Sequence, residues 1–127
     1  MSNATPLPSP ERDERLYVAD MLQFCERAIA YTSGRSLDAM LAEPMRYDAT
    51  LRNLELIGEA ATHVSAELRA LAPGVPWRQV IGTRNLVAHA YLGIEADTVW
   101  LIVTQHLPTL RDELRALLNR LGGRPHT

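Results

Sequence analysis

The sequence contains one cysteine, Cys25, among its 127 residues. A single thiol cannot close an intrachain disulfide, and no cysteine–histidine metal pattern accompanies it. Disulfide-stabilised and zinc-finger folds are therefore excluded. A lone cysteine is typical of a protein of the reducing cytoplasm, which is the expected compartment. Its simplest role is that of a small buried hydrophobe.

Long hydrophobic runs are also missing. No run of 18 apolar residues occurs, and no basic region followed by an apolar one opens the chain. Neither a membrane span nor a signal peptide is predicted. A net charge of −2 argues against a protein that coats nucleic acid through bulk charge, although a local basic cleft remains compatible with it. The length suffices for one domain with a core and is too short for two.

Strand-like alternation of apolar and polar residues is absent as well, and helical spacing replaces it. Long helices are predicted over about 11–31, 45–71, 76–92 and 96–121, with a short helix over 36–42. The second long helix carries apolar residues at spacings of three and four, as in a bundle: Leu54, Ile57, Ala61, Val64, Leu68 and Leu71. Pro108 lies inside the fourth and predicts a kink there.

The predicted fold is all-α, an antiparallel four-helix bundle with a short extra helix. Residues 1–10 are expected to be a disordered lead-in, 11–121 the helical domain and 122–127 a flexible tail. Such long helices in a small protein often hide an exposed stripe by dimerising, so a homodimer is expected. The third long helix is predicted to turn these residues inward: Trp77, Val80, Ile81, Val87 and Ala88.

The run RNLVAHAY, residues 84–91, gathers a cation, an amide, an imidazole and a phenol near the end of the third long helix. With Arg84 at zero, Asn85 lies near 100°, His89 near 140° and Tyr91 near 340° around a straight helix, at about 100° per residue. Arg84 and Tyr91 therefore share one face, while Asn85 and His89 share the next. Convergence on one substrate then requires the long arginine side chain, a bend, or the same helix of a second subunit.

These groups suit RNA cleavage without a metal, which needs a base, an acid and a cation at the phosphorus. His89 can fill either proton-transfer role, and Arg84 presents a fork of donors matched to phosphate. Asn85 could orient His89 or the phosphate, and Tyr91 could hold the scissile group or stack on a base. One imidazole cannot readily act as acid and base together, but two copies across a dimer could.

Simpler interpretations exist for each group. An arginine and a histidine five residues apart on a helix are more often a surface ion pair and a satisfied histidine than a site. The other histidines stand in separate segments without ligand spacing, so no metal is predicted: His63, His106 and His126. No glycine-rich phosphate loop is present, and no cofactor is predicted. Carboxylates of the second long helix could face the motif, but solvated or capping roles are the simpler reading: Asp48, Glu55 and Glu59.

A resemblance reaches beyond the motif. The runs YDATLRNLELIGEAA, 47–61, and VPWRQVIGTRNLVAHAYLGIEADTVWLIVTQHLPTLRDEL, 75–114, resemble the HepT-like family of HEPN-domain proteins. The signature of that family is Arg, four residues with a polar one first, His, one residue, Tyr. It is matched by Arg84, Asn85, His89 and Tyr91. Thr83 departs from the family pattern, in which a bulky apolar residue, often Met, precedes the arginine.

The resemblance implies a HEPN fold, a homodimer with facing motifs and a metal-independent endoribonuclease that forms 2′,3′-cyclic phosphate. It implies the toxin of a type VII-like toxin–antitoxin pair, whose MntA-like minimal nucleotidyltransferase antitoxin uses ATP to attach AMP to the motif tyrosine. Arg84 and His89 would then be catalytic, Asn85 and Tyr91 supporting, and Tyr91 also the AMPylation site. RNA, with tRNA as one candidate, would be the substrate. The alternative is a non-catalytic HEPN binding module that partners a nucleotidyltransferase.

Overall fold

The computed structural model describes residues 13–93 and 95–122, and in these residues it contains helices and no strand. The elements follow in this order: α1 Glu14–Thr32, α2 Leu37–Leu41, α3 Pro44–Ala61, α4 Ala66–Ala70, α5 Trp77–Tyr91, α6 Ala96–Leu101, a π-helical turn Ile102–His106, and α7 Leu107–Arg120. The predicted all-α class is confirmed. The predicted lead-in, 1–10, and all but the first residue of the predicted tail lie outside the described residues.

Helix α1 begins where the sequence supplies a cap and turns one apolar face inward. The side chain of Asp13 accepts a hydrogen bond from the Arg15 N–H at 3.0 Å, which satisfies one of the donors left open at a helix start. Its buried residues recur at helical spacing: Val18, Met21, Leu22, Cys25, Ala28 and Thr32. The buried-hydrophobe role of Cys25 is confirmed, and burial raises the pKa of its thiol to about 12.

The prediction of one continuous helix over 45–71 is wrong. Helix α3 ends at Ala61, and α4 begins only at Ala66. Side chains stabilise the break: Ser65 caps α4 by accepting from the Leu68 N–H, and Arg69 donates to the carbonyls of Ala61 and Val64. With 18 residues, α3 is about 27 Å long at 1.5 Å per residue. The bundle thus has two short extra helices, α2 and α4, where one was expected.

Contacts between residues far apart in sequence show that the long helices run antiparallel. Arg15 near the start of α1 donates to the Leu121 carbonyl after α7, and Glu26 pairs with Arg115 at 3.1 Å. Between α3 and α5, Arg84 pairs with Glu59, whereas Tyr91 lies against Asp48. In each pair of helices, the residue numbers therefore rise along one helix as they fall along the other. Helices pack in the order α5, α3, α1, α7.

The disturbance predicted at Pro108 takes the form of a π-helical turn. Proline lacks an N–H, and its ring crowds the carbonyl four residues earlier, that of Thr104. The turn just before the proline contains one residue more than an α-helical turn. The Leu107 N–H therefore donates to the Ile102 carbonyl, five residues back. Helix α7 then continues and buries Leu110, Leu114, Leu117 and Leu118.

The fourth side of the bundle, between α5 and α7, is open. Both helices pack on the inner pair, but a groove of about 700 Å³ remains between them. Its apolar lining comes from α3, α5, the π-helical turn and α7: Leu54, Ile57, Val80, Leu86, Ile102 and Leu110. Of the residues predicted to face inward on α5, Ala88 is exposed, and Ala90 is buried instead. Within 13–93 and 95–122, no helix combines the length and the apolar character that a bilayer span requires.

Candidate active site

Helix α5 has a firmly fixed start. The indole N–H of Trp77 donates to the Ala72 carbonyl at 3.2 Å, and the Arg69 guanidinium lies 5.8 Å from the centre of the Trp77 ring. The helix ends as predicted before Gly93, whose φ of +81° is a left-handed conformation that glycine adopts without strain. The motif therefore occupies the last two turns of a helix whose start is anchored by Trp77 and whose end lies just before Gly93.

Arg84 lies where α5 packs tightly against α3. Its Nη1 donates to Glu59 Oε1 at 3.0 Å. Gly58 makes this approach possible, because a Cβ at that position would lie 2.9 Å from Arg84 Cγ and 3.1 Å from the Val80 carbonyl oxygen. The guanidinium remains partly exposed, so its other donors can reach a ligand.

The other oxygen of Glu59 lies beside a histidine. Glu59 Oε2 lies 3.3 Å from His63 Nε2, one turn further along the chain. The His63 ring stacks on the Tyr17 ring of α1, with ring centres 4.7 Å apart and an interplanar angle of 17°. A row of side chains thus runs from α1 through Glu59 to Arg84.

Tyr91 lies two turns along α5 on the same side as Arg84, as the helical spacing predicts. Its hydroxyl makes a long hydrogen bond of 3.5 Å to the Asp48 carbonyl, and 47% of the residue is exposed. Partial burial, followed by the negative charges of Glu55 and Asp48, raises the pKa of the phenol, while Arg52 opposes the rise. Tyr91 is thus a neutral, accessible hydroxyl at pH 7.

Asn85 and His89 project from a different face and are both exposed. No hydrogen bond joins their side chains, and neither side chain has a hydrogen-bond partner elsewhere in 13–93 or 95–122. The orientation of His89 by Asn85 that the sequence suggested is therefore not formed in the single chain. His89 lies about 7.5 Å beyond Arg84 along the helix axis, at 1.5 Å per residue. One chain alone does not bring its imidazole and its guanidinium together.

One of the three carboxylates that could face the motif contacts it directly: Glu59 pairs with Arg84 and stays half exposed. The Asp48 side chain is solvated, as the simpler reading predicts, and Glu55 pairs with Arg52. Asp48, Glu55 and Glu59 are separated by seven and four residues, so they line one face of α3. Glu59 pairs with Arg84, and the other two influence Tyr91. The helical spacing of these acidic residues was the signal in the sequence that they could face the motif. Gly58 carried no such signal.

The open groove borders the motif on a further face of α5. Thr83, where the family pattern places a bulky apolar residue, lines this groove, and its hydroxyl donates to the Gln79 carbonyl at 2.9 Å. The threonine thus satisfies its hydroxyl within its own helix and leaves space in the groove that a larger side chain would fill. Among the described residues, no group of three or more histidine, cysteine or acidic side chains is placed to hold a metal ion.

The fold and the site define an antiparallel helical bundle that displays Arg84, His89 and Tyr91 on the exposed surface of its third long helix. The family described as Ribonuclease HepT-like matches residues 21–117. The match covers most of the 127 residues, so the chain belongs to this family.

Curated relatives match over most of their own length. The "Putative RNase MJ1380" of Methanocaldococcus jannaschii is 31% identical over 104 residues, 82% of this chain and 95% of the relative. The "Putative RNase TTE0752" of Caldanaerobacter subterraneus is 30% identical and covers 84% and 95%. The "Probable ribonuclease HepT" of Thermococcus cleftensis is 27% identical and covers 84% and 97%. No solved structure matches the chain.

Proposed function

We propose that the protein is a metal-independent endoribonuclease with Arg84 and His89 as catalytic residues and Asn85 and Tyr91 supporting them. The observation that carries this proposal is an exposed arginine and an exposed histidine on one helix of a chain in the ribonuclease HepT-like family. The relatives named above as RNases support the same activity. The His89 side chain is exposed, and the guanidinium of Arg84 remains partly exposed although the stem of that side chain packs against Gly58.

The proposed reaction is an internal transesterification. A base takes the proton of a ribose 2′-hydroxyl, and the 2′-oxygen attacks the adjacent phosphorus. The bond from phosphorus to the 5′-oxygen then breaks, an acid protonates that oxygen, and a 2′,3′-cyclic phosphate remains. His89 performs proton transfer, and the guanidinium of Arg84 stabilises the negative charge on the phosphorane oxygens. Asn85 and the Tyr91 hydroxyl help to hold the RNA.

A homodimer is part of the proposal, because one chain supplies one His89 and two proton transfers are required. The exposed face of α5 that carries Asn85 and His89 is free to meet its counterpart in a second copy. The open groove beside this face offers apolar area that a second copy would bury. Two exposed leucines add to it: Leu92, which follows the motif, and Leu101, which precedes Ile102 of the groove. Sedimentation at micromolar concentration should give a dimer. A fully active monomer would remove this part of the proposal.

We further propose regulation by a minimal nucleotidyltransferase, as in a toxin–antitoxin pair. The Tyr91 hydroxyl oxygen would attack the α-phosphorus of ATP and release pyrophosphate, and AMP would remain on the tyrosine. Because Tyr91 is exposed and lies two turns from Arg84, the added phosphate charge and base would occupy the space that RNA phosphate needs. The cytoplasm, where ATP and tRNA are available, is the proposed compartment.

The deciding experiment is cleavage of RNA by the purified protein in EDTA. Cleavage should yield 2′,3′-cyclic phosphate ends, and neither Arg84→Ala nor His89→Ala protein should produce them. Cleavage only after magnesium or manganese is added would contradict the mechanism. A protein that cleaves nothing under any condition but still binds a nucleotidyltransferase would be the non-catalytic binding module.

The regulatory proposal is tested by incubation with a nucleotidyltransferase encoded beside the protein's gene, ATP and magnesium. Mass spectrometry should show the addition of AMP less water, and RNA cleavage should fall in step with it. Tyr91→Phe protein should show no addition, with Tyr47→Phe as the control because that ring is buried. An addition that persists in the Tyr91→Phe protein would place the acceptor elsewhere.

A further inference from the structure

Two consecutive residues of α3 hold the side chain of Arg84. Gly58 leaves the space that the aliphatic part of the arginine occupies, since a Cβ there would lie 2.9 Å from Arg84 Cγ. Glu59 accepts a hydrogen bond from Nη1 at 3.0 Å. The stem and the head of the side chain are therefore both constrained by the same turn of α3.

The carboxylate that holds Arg84 has a stacked imidazole as its neighbour on the other side. His63 lies 3.3 Å from the second oxygen of Glu59, and its ring is stacked on Tyr17. An isolated surface ion pair costs side-chain entropy to hold in one geometry, which is why most such pairs contribute little. Here the stacked His63 ring beside Glu59 limits the positions that the carboxylate can take, so less entropy remains to be lost when the pair forms.

A carboxylate beside a catalytic cation has two opposing effects, and their magnitudes decide between them. Repulsion between Glu59 and an RNA phosphate roughly 7 Å away amounts to about 0.6 kcal/mol at the dielectric constant of water and about 2.4 kcal/mol at the value of about 20 typical near a protein surface. Salt and the neighbouring charge of Arg84 reduce it further. Displacement of a catalytic group by about 1 Å can cost on the order of 100-fold in rate. Arg84 uses a single nitrogen for Glu59, so the rest of its fork remains available to phosphate. Orientation outweighs repulsion.

We propose that Glu59 is a positioning residue, which fixes the guanidinium of Arg84 for phosphate, and that Gly58 provides the close approach this contact needs. The inference rests on the proposed ribonuclease function. It assigns no contact between Glu59 and RNA, and it explains why an acidic side chain stands at the edge of a site for a polyanion.

The experiment measures RNA cleavage in EDTA by Glu59→Ala and Glu59→Gln proteins. Alanine removes the acceptor, so kcat should fall about 10- to 100-fold while KM stays within about threefold. Glutamine keeps an oxygen acceptor for Arg84 without the charge and should restore kcat to within about threefold of the wild type. Because the pair is exposed, the melting temperature should hardly change in either variant.

Glu26→Ala is the matched control. Glu26 pairs with Arg115 at 3.1 Å, and the side chains of that pair are 42% and 52% exposed, against 53% and 43% for Glu59 and Arg84. It lies on the α1–α7 side of the bundle. Its loss should leave kcat and KM within about twofold of the wild type. A decrease as large as that of Glu59→Ala would show a general effect of losing a surface carboxylate and would overturn the proposal.

A second readout does not depend on activity. The Nε–H signal of Arg84, assigned by its absence in Arg84→Lys protein, should report a more mobile guanidinium in Glu59→Ala than in wild type or Glu26→Ala. An unchanged Arg84 signal, or a Glu59→Ala protein with wild-type or faster cleavage, overturns the positioning role. Wild-type protein without RNase activity would instead refute the proposed function, and the mobility of Arg84 would then decide alone whether Glu59 orders it.

Discussion

The contact between α1 and α7 and the contact between α3 and α5 are both antiparallel helix pairs, yet they are built differently. The first is closed by fully buried leucines of α7, and its ion pair, Glu26 with Arg115, lies at the rim. The second is drawn close by Gly58, and its accessible edge carries Arg84, Glu59 and Tyr91.

The difference separates stability from chemistry within one small bundle. Each leucine buried between α1 and α7 contributes about 1.5–3 kcal/mol through removal of apolar surface from water. An exposed ion pair between α3 and α5 contributes about 0–1 kcal/mol. Polar residues at the α3–α5 edge are therefore poorly explained by stability, and a site there can change without loss of the fold.

The sharpest test of this separation, with the largest effect, is the removal of the proposed catalytic groups. His89→Ala and Arg84→Ala should each lower RNA cleavage by about 10²- to 10⁴-fold, the range for loss of proton transfer or of charge stabilisation. Thermal unfolding of the His89→Ala protein should match that of the wild type because that side chain is exposed, and Arg84→Ala should cost at most about 1 kcal/mol, the range for an exposed ion pair. Unfolding of both variants would mean that these residues are needed for stability. The proposed difference between the α1–α7 and α3–α5 contacts would then be refuted.

The opposite behaviour is expected at the α1–α7 contact. Leu114 is completely buried, so Leu114→Ala should lower the free energy of unfolding by about 2–5 kcal/mol, measured by urea denaturation. Below the unfolding transition, cleavage per folded molecule should be preserved. Leu101→Ala is the control, since that leucine is 45% exposed and its loss should be far milder. Equal costs for the two would refute the assignment of the core.

Gly58 connects the two kinds of contact. In Gly58→Ala protein the new methyl would meet Arg84 Cγ and the Val80 carbonyl, so α3 and α5 must separate, at a cost of about 1–3 kcal/mol. Gly82→Ala supplies the control, because a Cβ there meets nothing within 4 Å and alanine favours a helix by about 0.5–1 kcal/mol. Opposite shifts in melting temperature are expected. A shift of the same sign in both would contradict the close approach.

The smallest effect concerns the ionisation of Tyr91. Burial and the nearby carboxylates raise its pKa above the usual 10, so the phenol should ionise later than a tyrosine in a peptide. Because the folded state holds this proton more tightly, its contribution to stability is present below pH 10 and is lost as the pH rises through the folded pKa. The ultraviolet difference between wild-type and Tyr91→Phe protein isolates the titration. A midpoint below 10 would contradict the predicted environment.

The helices were predictable where local signals agree. Ser36 caps α2, Gly93 ends α5, and the apolar spacing of α7 puts its leucines inward, as the sequence indicates. The break between α3 and α4 was not predictable from periodicity, because its apolar spacing continues through the gap. It depends on the side chain of Arg69, which donates to the carbonyls of Ala61 and Val64. The pattern of apolar residues does not indicate such a contact.

The candidate site likewise has features that were predictable from the sequence and features that were not. By itself the sequence determined the residue types of the motif, their faces on one helix, and the separation of Arg84 from His89, because helical geometry follows from local spacing. Only the tertiary structure decided which neighbours these groups meet. Glu59 reaches Arg84 across 25 positions of the chain because α3 and α5 pack antiparallel at Gly58, and the side between α5 and α7 stays open because both helices pack on the inner pair. Packing of this kind is set by contacts distant in sequence, which local patterns do not specify.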